Sequence, residues 1–262
     1  MESQATRKRV AGGLAVILLG LAVPLAAAEA PAGVAPEALA KLRQMTDYVG
    51  GLKQFSVRGQ ATLEVVLTSG QKLQFDHDVQ LLVQRPSGLL ATRKGELADQ
   101  ALYVDGESLV FSTRGIAGNY YATAKVPANL DGALDYAREE LDLVMPAADL
   151  LYTDAYASLT SDMTSGFVVT AKALLNGASC THLAFRKPGV DVQVWVANGA
   201  EPLPLKLVLT TTDMAGSPQF VISLSDWNAN PRVEAGTFRF TPSAEAKHVD
   251  FVPPAGATSP IK

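Results

Sequence analysis

The chain has 262 residues, with 22 Lys and Arg against 26 Asp and Glu, a formal net charge of −4. A mildly acidic chain without a basic block offers no electrostatic basis for binding nucleic acid or an anionic membrane surface. A single cysteine cannot close an internal disulfide, so the fold must rest on its apolar core.

Arg7, Lys8 and Arg9 precede an apolar run from Val10 to Val23, and Pro24 then leads into Ala26-Ala27-Ala28. This is the pattern of a secretory signal peptide over residues 1–28, cut after Ala28 and exporting the chain to the periplasm. The apolar run is well short of the roughly 20 residues that span a bilayer. No later stretch approaches that length, so no integral membrane span is expected in the mature chain. No Cys follows the apolar run, which excludes an acylated lipoprotein start. Cleavage removes three basic residues and Glu2, shifting the formal charge from −4 to −6. The remaining chain, about 234 residues, can bury roughly 70% of its unfolded surface as one domain.

Residues 29–35 are small and Pro-rich, a linker, and residues 36–262 form the expected domain. From Pro36, Leu39, Leu42, Met45, Val49 and Leu52 recur at helical spacing, with Pro36 suited to the first turn. Strands follow. Val57, Gly59, Ala61, Leu63, Val65 and Leu67 alternate with polar residues, and so do Leu73, Phe75, His77, Val79, Leu81 and Val83. A three-residue loop at Ser69-Gly70-Gln71 would set Leu63 opposite His77 and Val65 opposite Phe75. Shorter strands are expected over 89–95, 100–104, 108–113 and 119–126, with a turn at Asp105-Gly106. Residues 127–143 fit one helix with Leu130, Leu134, Ala137 and Leu141 on one side, and 146–161 one or two short helices. Strands then resume until Trp227, and a Pro-rich tail closes the chain.

The last strands can be tested for register. Asn198-Gly199, read as a two-residue turn, sets Val194 opposite Leu203 and Val192 opposite Leu205. Pro188-Gly189 sets Phe185 opposite Val192 and Arg186 opposite Asp191. The loop 213–216 sets Leu209 opposite Phe220 and Leu207 opposite Ile222. All three turns agree in placing Leu183, Phe185, Val192, Val194, Leu203, Leu205, Leu207, Leu209, Phe220, Ile222 and Leu224 on one face. Asn176-Gly177 fits less well, sending Phe167, Val169, Ala171 and Ala173 to the other face; a bulge or a second packed face would reconcile it.

Few residues suggest chemistry. In Asp76-His77-Asp78 the histidine points away from both carboxylates on a strand, so the three do not converge on a metal. His77 on the apolar stripe is either a core histidine with a hydrogen-bond partner or the lone polar group of an apolar ligand cavity. Tyr121/Lys125 and Ser69/Lys72 have catalytic spacings only on a helix, and here they fall on a strand and a turn. No G-x-S-x-G, H-E-x-x-H, C-x-x-C or phosphate loop is present, and no cofactor is implied. Cys180 and His182 share a face nearly 7 Å apart at Cβ, too far for a thiolate–imidazole pair without bending. A buried thiol, His182 stacked on Trp195 and a cross-strand Arg186–Asp191 pair account for them better than catalysis does.

The runs "CTHLAFRKPGVDVQVWVANGAEPLPLKLVLT" (180–210), "LVQRPSGL" (82–89), "YVDGESL" (103–109), "NYYATAKVP" (119–127), "MPAADLLY" (145–152) and "LSDWN" (224–228) resemble the periplasmic proteins grouped as domain of unknown function 2092. The resemblance spans about residues 35 to 256 and brings no established activity. A looser similarity is to the Lol lipoprotein carriers, with an N-terminal helix, long paired strands, inserted helices and later hairpins in that order. It implies an α+β, mostly antiparallel fold: a curved, incompletely closed barrel covered by an N-terminal helix and mid-chain helices.

A curved sheet with a helical cover can enclose an apolar cavity. The expected function is binding of a lipid or other hydrophobic small molecule, without enzymatic activity. Its wall would comprise Leu63, Phe75, His77, Val79, Leu81, Phe185, Val192, Val194, Leu203, Leu205, Leu207, Phe220 and Ile222. The alternative is a non-enzymatic envelope interaction or structural protein with a filled core.

Overall fold

A computed structural model describes residues 33–252; the signal peptide read over residues 1–28 lies outside them. Among the described residues no helix is long and apolar enough to cross a membrane.

The described residues begin with β1 (Gly33–Val34) and α1 (Pro36–Gly51), followed by six strands: β2 (Gln54–Val66), β3 (Lys72–Gln84), β4 (Gly88–Gly95), β5 (Ala98–Val104), β6 (Ser108–Gly115) and β7 (Gly118–Lys125). Then come α2 (Leu130–Glu139), a 3₁₀ turn (Ala148–Leu151) and α3 (Ala155–Thr160). The chain closes with β8 (Ser165–Leu175), β9 (Ala178–Lys187), β10 (Val190–Ala197), β11 (Pro204–Thr211), β12 (Gln219–Asn228) and β13 (Lys247–His248). All strands join one open sheet, ordered β1-β8-β9-β10-β11-β12-β2-β3-β4-β5-β6-β7-β13. It is antiparallel except at its two edges, where β1 and β13 each add a two-residue parallel strand.

Two meanders, β2–β7 and β8–β12, meet where β12 pairs with β2, Phe220 opposite Leu63 and Ile222 opposite Ala61. This order has a topological consequence. β7 and β8 follow one another in sequence but lie near opposite edges of the sheet. The chain between them must cross from one edge to the other. It does so over the inner, apolar face, as a strap of α2, the 3₁₀ turn and α3.

α1 buries Ala38, Leu42, Met45, Thr46 and Val49, a stripe at spacings of three and four that meets the sheet. Ala38, Leu42 and Met45 pack with Leu183, Phe185, Val192, Val194 and Leu207 of the C-terminal meander. α2 starts later than the helix expected over 127–143. Asn129 caps it, its side chain accepting from Gly132 N–H at 2.8 Å, which satisfies one of the free N-terminal donors. It ends at Glu140, after which Asp142 takes φ 52° and the helix cannot continue. Leu130, Ala133, Leu134 and Ala137 are buried against Phe55, Val83, Leu89, Leu102 and Leu109 of the N-terminal meander.

Two registers differ from expectation. In β2–β3, Leu63 pairs with Phe75 and Ala61 with His77. The loop is Thr68-Ser69-Gly70, with Leu67 N–H bonded to Gln71 C=O and Gly70, at φ 83°, in its third position. A three-residue hairpin loop needs its left-handed residue there, and glycine supplies it. In β10–β11, Val194 pairs with Leu207 and Val192 with Leu209, not with Leu203 and Leu205. A type I′ turn requires positive φ at both central residues, and only Gly199 of the Asn198-Gly199 pair has it, at 114°. Asn198 instead uses its side chain to bind Thr181 Oγ1, Ser179 Oγ and Ala171 C=O, and the connection runs on to Pro204. Both slips are even, so each apolar set stays on its face.

The β9–β10 register is as expected, Phe185 opposite Val192 and Arg186 opposite Asp191, and so is β11–β12. Between β8 and β9 the register shifts twice, between Val168 and Thr170 and again before Ala173. The two shifts cancel in parity, so Val168 lies opposite Leu183 while Phe167, opposite Ala184, stays on the outer face where the Asn176-Gly177 turn sets it.

The stretches read as linker and tail hold structure at their sheet-proximal ends. Gly33–Val34 pairs with β8. Beyond β12, Phe240 lies against Tyr103 and Tyr121 at centroid distances of 5.4 and 5.2 Å. The Phe238 ring sits so close over Gly88 that a Cβ there would lie 2.6 Å from it. The tail thus covers part of the outer face of β4–β7.

Candidate functional site

Between the inner face and the strap lies a cavity of about 390 Å³, walled by β2 through β6, β12, the end of α1 and residues 143–151. Side chains from six adjacent strands meet around one space, so the sheet curves about it. A second chamber of about 250 Å³ lies between α1, the strap and β9–β11. Ala147 and Leu150 border both, so the 3₁₀ turn is the partition.

Of the thirteen residues expected to form the wall, Leu63, His77, Val79, Leu81, Phe220 and Ile222 line the larger cavity. Phe185, Val192, Val194 and Leu207 line the smaller. Phe75, Leu203 and Leu205 line neither. Phe75 pairs with Leu63 near the β2–β3 tip. Leu203 packs on the N-terminal core cluster. Leu205 is the extra residue of the β11 bulge, where the register passes from Lys206 to Pro204.

The deep end of the larger cavity is apolar: Phe55, Leu89, Leu102, Phe111, Leu151 and Trp227. Trp227 stacks obliquely on Phe55 at 5.5 Å and donates its Nε1–H to Pro204 C=O at 3.1 Å. The other end, toward the β4–β5 hairpin tip, is polar. Arg93 and Gln100 are register partners across β4–β5, and Arg93 Nη2 donates to Gln100 Oε1. His77 stands one row away, over Gly95, where a Cβ would lie 2.4 Å from the imidazole Cδ2. Burial, and then the charge of Arg93, holds the His77 pKa below its ordinary value. Burial alone lowers that of Arg93. Both effects disfavour charge in this end of the cavity.

The strap's cavity segment is locally irregular. Ala147 holds φ 67° without being glycine, a sparsely populated conformation that persists only where its surroundings enforce it. Val144, beside it in the cavity rim, is 85% exposed.

Cys180 and His182 are away from both cavities. Cys180 is buried, its Sγ 3.6 Å from Ala173 C=O, and burial raises its pKa. A thiol held in its protonated form is a poor nucleophile. His182 stacks on Trp195 at 3.9 Å and 10°, with Nε2 3.1 Å from Gln193 Oε1. Asp76 accepts from Thr62 Oγ1 at 2.6 Å on the polar face. Among the wall residues that sequence reasoning missed are Phe55, Arg93, Gln100, Phe111 and Trp227, whereas mid-chain helices were expected as the cover. Arg93 carried a signal: it follows Leu89 and Ala91 at a period of two, a charge on the apolar phase of its strand.

The fold and cavity define an open antiparallel half-barrel with a helical strap over an apolar interior. The chain belongs to the family described as "Predicted periplasmic protein (DUF2092)", whose profile matches residues 38–252. No curated protein matches it in sequence. Among solved structures it is similar to the lipoprotein LppX of Mycobacterium tuberculosis, with 17% identity over 76% of this chain and 99% of that one, TM-score 0.44. It is also similar to a LolA-superfamily protein of Nitrosomonas europaea, with 11% identity over 78% and 97%, TM-score 0.38. At these identities and scores neither structure assigns a function.

Proposed function

We propose that the protein is a periplasmic binding module that holds a lipid or other hydrophobic molecule between its sheet and strap. The observation that carries this reading is the cavity of about 390 Å³ with an almost wholly apolar wall. It falls within the size of ordinary ligand sites, roughly 300–1,000 Å³, which are mostly apolar with a few placed polar groups. The cavity distinguishes this reading from that of a structural protein with a filled core, in which the strap would close directly on the sheet. No step of the reading calls for catalysis, a cofactor or a metal. The larger chamber is the binding site, and Leu63, His77, Val79, Leu81, Phe220 and Ile222 form part of its wall.

The test is direct. Protein purified from its native envelope under mild conditions is extracted with organic solvent, and the extract is analysed by mass spectrometry. A hydrophobic compound at near-stoichiometric amount is expected. An empty extract, together with no uptake of added single-chain or two-chain lipids by the purified protein, would overturn the reading.

A further inference from the structure

We infer that the larger cavity takes a single-chain amphiphile with an anionic head group, the head seated on Arg93, Gln100 and His77 and the chain running toward Trp227. This deepens the reading of the cavity as a lipid site and rests on it.

The inference starts from an imbalance. Arg93 is half-buried at the rim of an apolar cavity, and among the described residues no carboxylate lies within ion-pair distance of it. Its hydrogen bond to a protein group is to the neutral oxygen of Gln100. A guanidinium carries five N–H donors and no acceptor, and an isolated buried cation is costly unless paired. A carboxylate or phosphate entering with a ligand would supply the missing charge, and a planar guanidinium matches such groups with two parallel hydrogen bonds.

Gln100 beside it is a donor as well. Gln100, with its oxygen committed to Arg93, has its amide N–H₂ free to bond a ligand oxygen. His77, engaged with the Phe75 backbone, stands beside them with its imidazole over Gly95. Arg93 and Gln100, donors from two adjacent strands, and His77 from the next thus meet near one end of the cavity, toward the β4–β5 tip. Apart from Thr92 the remainder of the wall is apolar, which suits a hydrocarbon chain and not a second polar group. The volume lies near the small end of the ligand-site range of roughly 300–1,000 Å³, favouring one chain over two.

The experiment uses the protein's two tryptophans. Trp227 lines the cavity and Trp195 stacks on the outer face, so W195F leaves Trp227 as the sole reporter. Lipid-stripped W195F protein is titrated with myristate, myristyl phosphate, myristyl alcohol and myristyl amine. Because hydrogen bonds to charged groups are strong, myristate or myristyl phosphate should bind at least about tenfold tighter than the alcohol, and the amine weakest. Whichever anion is favoured identifies the head group as carboxylate or phosphate. R93M in the same background should abolish the preference for the anion over the alcohol.

Equal affinity for anion and alcohol would overturn the head-group assignment while leaving the lipid cavity intact. Binding of none of the four would overturn the single-chain assignment, and with an empty native extract and no uptake of two-chain lipids it would overturn the cavity reading itself. The head-group series on the W195F protein requires no change at Arg93, so it decides the assignment even where R93M fails to fold.

Discussion

The two halves of the inner face are built from similar strands but filled differently. Over β9–β11, α1 inserts Ala38, Leu42 and Met45 directly between Leu183, Phe185 and Val194, and what remains is the smaller chamber. Over β2–β6, α2 covers only the end of the strands around Phe55, Leu89 and Leu109, and the strap bridges the rest without filling it. A helix packed along its length closes a sheet, whereas a strap anchored near its ends leaves room beneath. The half-buried guanidinium of Arg93 lies in the less filled half.

That contrast can be tested by substitution. Leu183→Ala, at a fully buried position of the filled half, should cost about 2–5 kcal/mol, because little can collapse into the space. Leu81→Ala, on the cavity wall, should cost only about 1 kcal/mol, since its side chain is only partly removed from water. Urea unfolding of both variants measures the difference, and equal losses would erase the distinction between the halves. Gly88→Ala, beneath Phe238, should cost about 1–3 kcal/mol through overpacking. This would show that the tail on the outer face contributes to stability.

Ala91→Phe places a ring in the larger cavity beside Leu81 and Leu102. It should reduce myristate affinity by more than about tenfold while shifting Tm by no more than about 4 °C, the equivalent of roughly 1 kcal/mol. The smallest effect is expected at Asp191→Asn on the exposed side of the filled half. Two hydrogen bonds from Arg186, at 2.6 and 2.8 Å, and then its charge hold the Asp191 pKa below the ordinary carboxylate range. A lowered folded-state pKa gives stability that is present above the unfolded pKa of roughly 3.9 and is lost as pH falls through the folded value. The variant should therefore flatten the acid limb of the stability profile, with a slight, salt-sensitive loss near neutrality.

What was legible in the sequence followed locality. Pro188-Gly189 encodes its own turn, and the β9–β10 register follows from it. Asn176-Gly177 is a type I′ turn with φ of 50° and 82°. Asn198-Gly199 has the same letters but a different backbone, because the Asn198 side chain is committed to β8 and β9, contacts that no local pattern reveals. The inner face remained readable because even register slips do not move a side chain across the sheet. The cavity wall was half legible for a different reason. Which strands curve around a common space depends on β2 meeting β12, a pairing across more than half the chain, and this brings Trp227 and Arg93 to the same cavity. The tail was read only as Pro-rich because Phe238 and Phe240, two residues apart, alternate over too short a run to mark a strand.

The strap joins the two edges of one open sheet, entering it from β7 and leaving into β8. Mechanically it is a string across a bow. Opening the sheet lengthens the span the string must cover, and curling the sheet slackens it. Because the 3₁₀ turn on the string also partitions the two chambers, a molecule that pushes the turn outward acts on both rims of the sheet at once. The contents of the cavity and the curvature of the sheet are then a single mechanical variable.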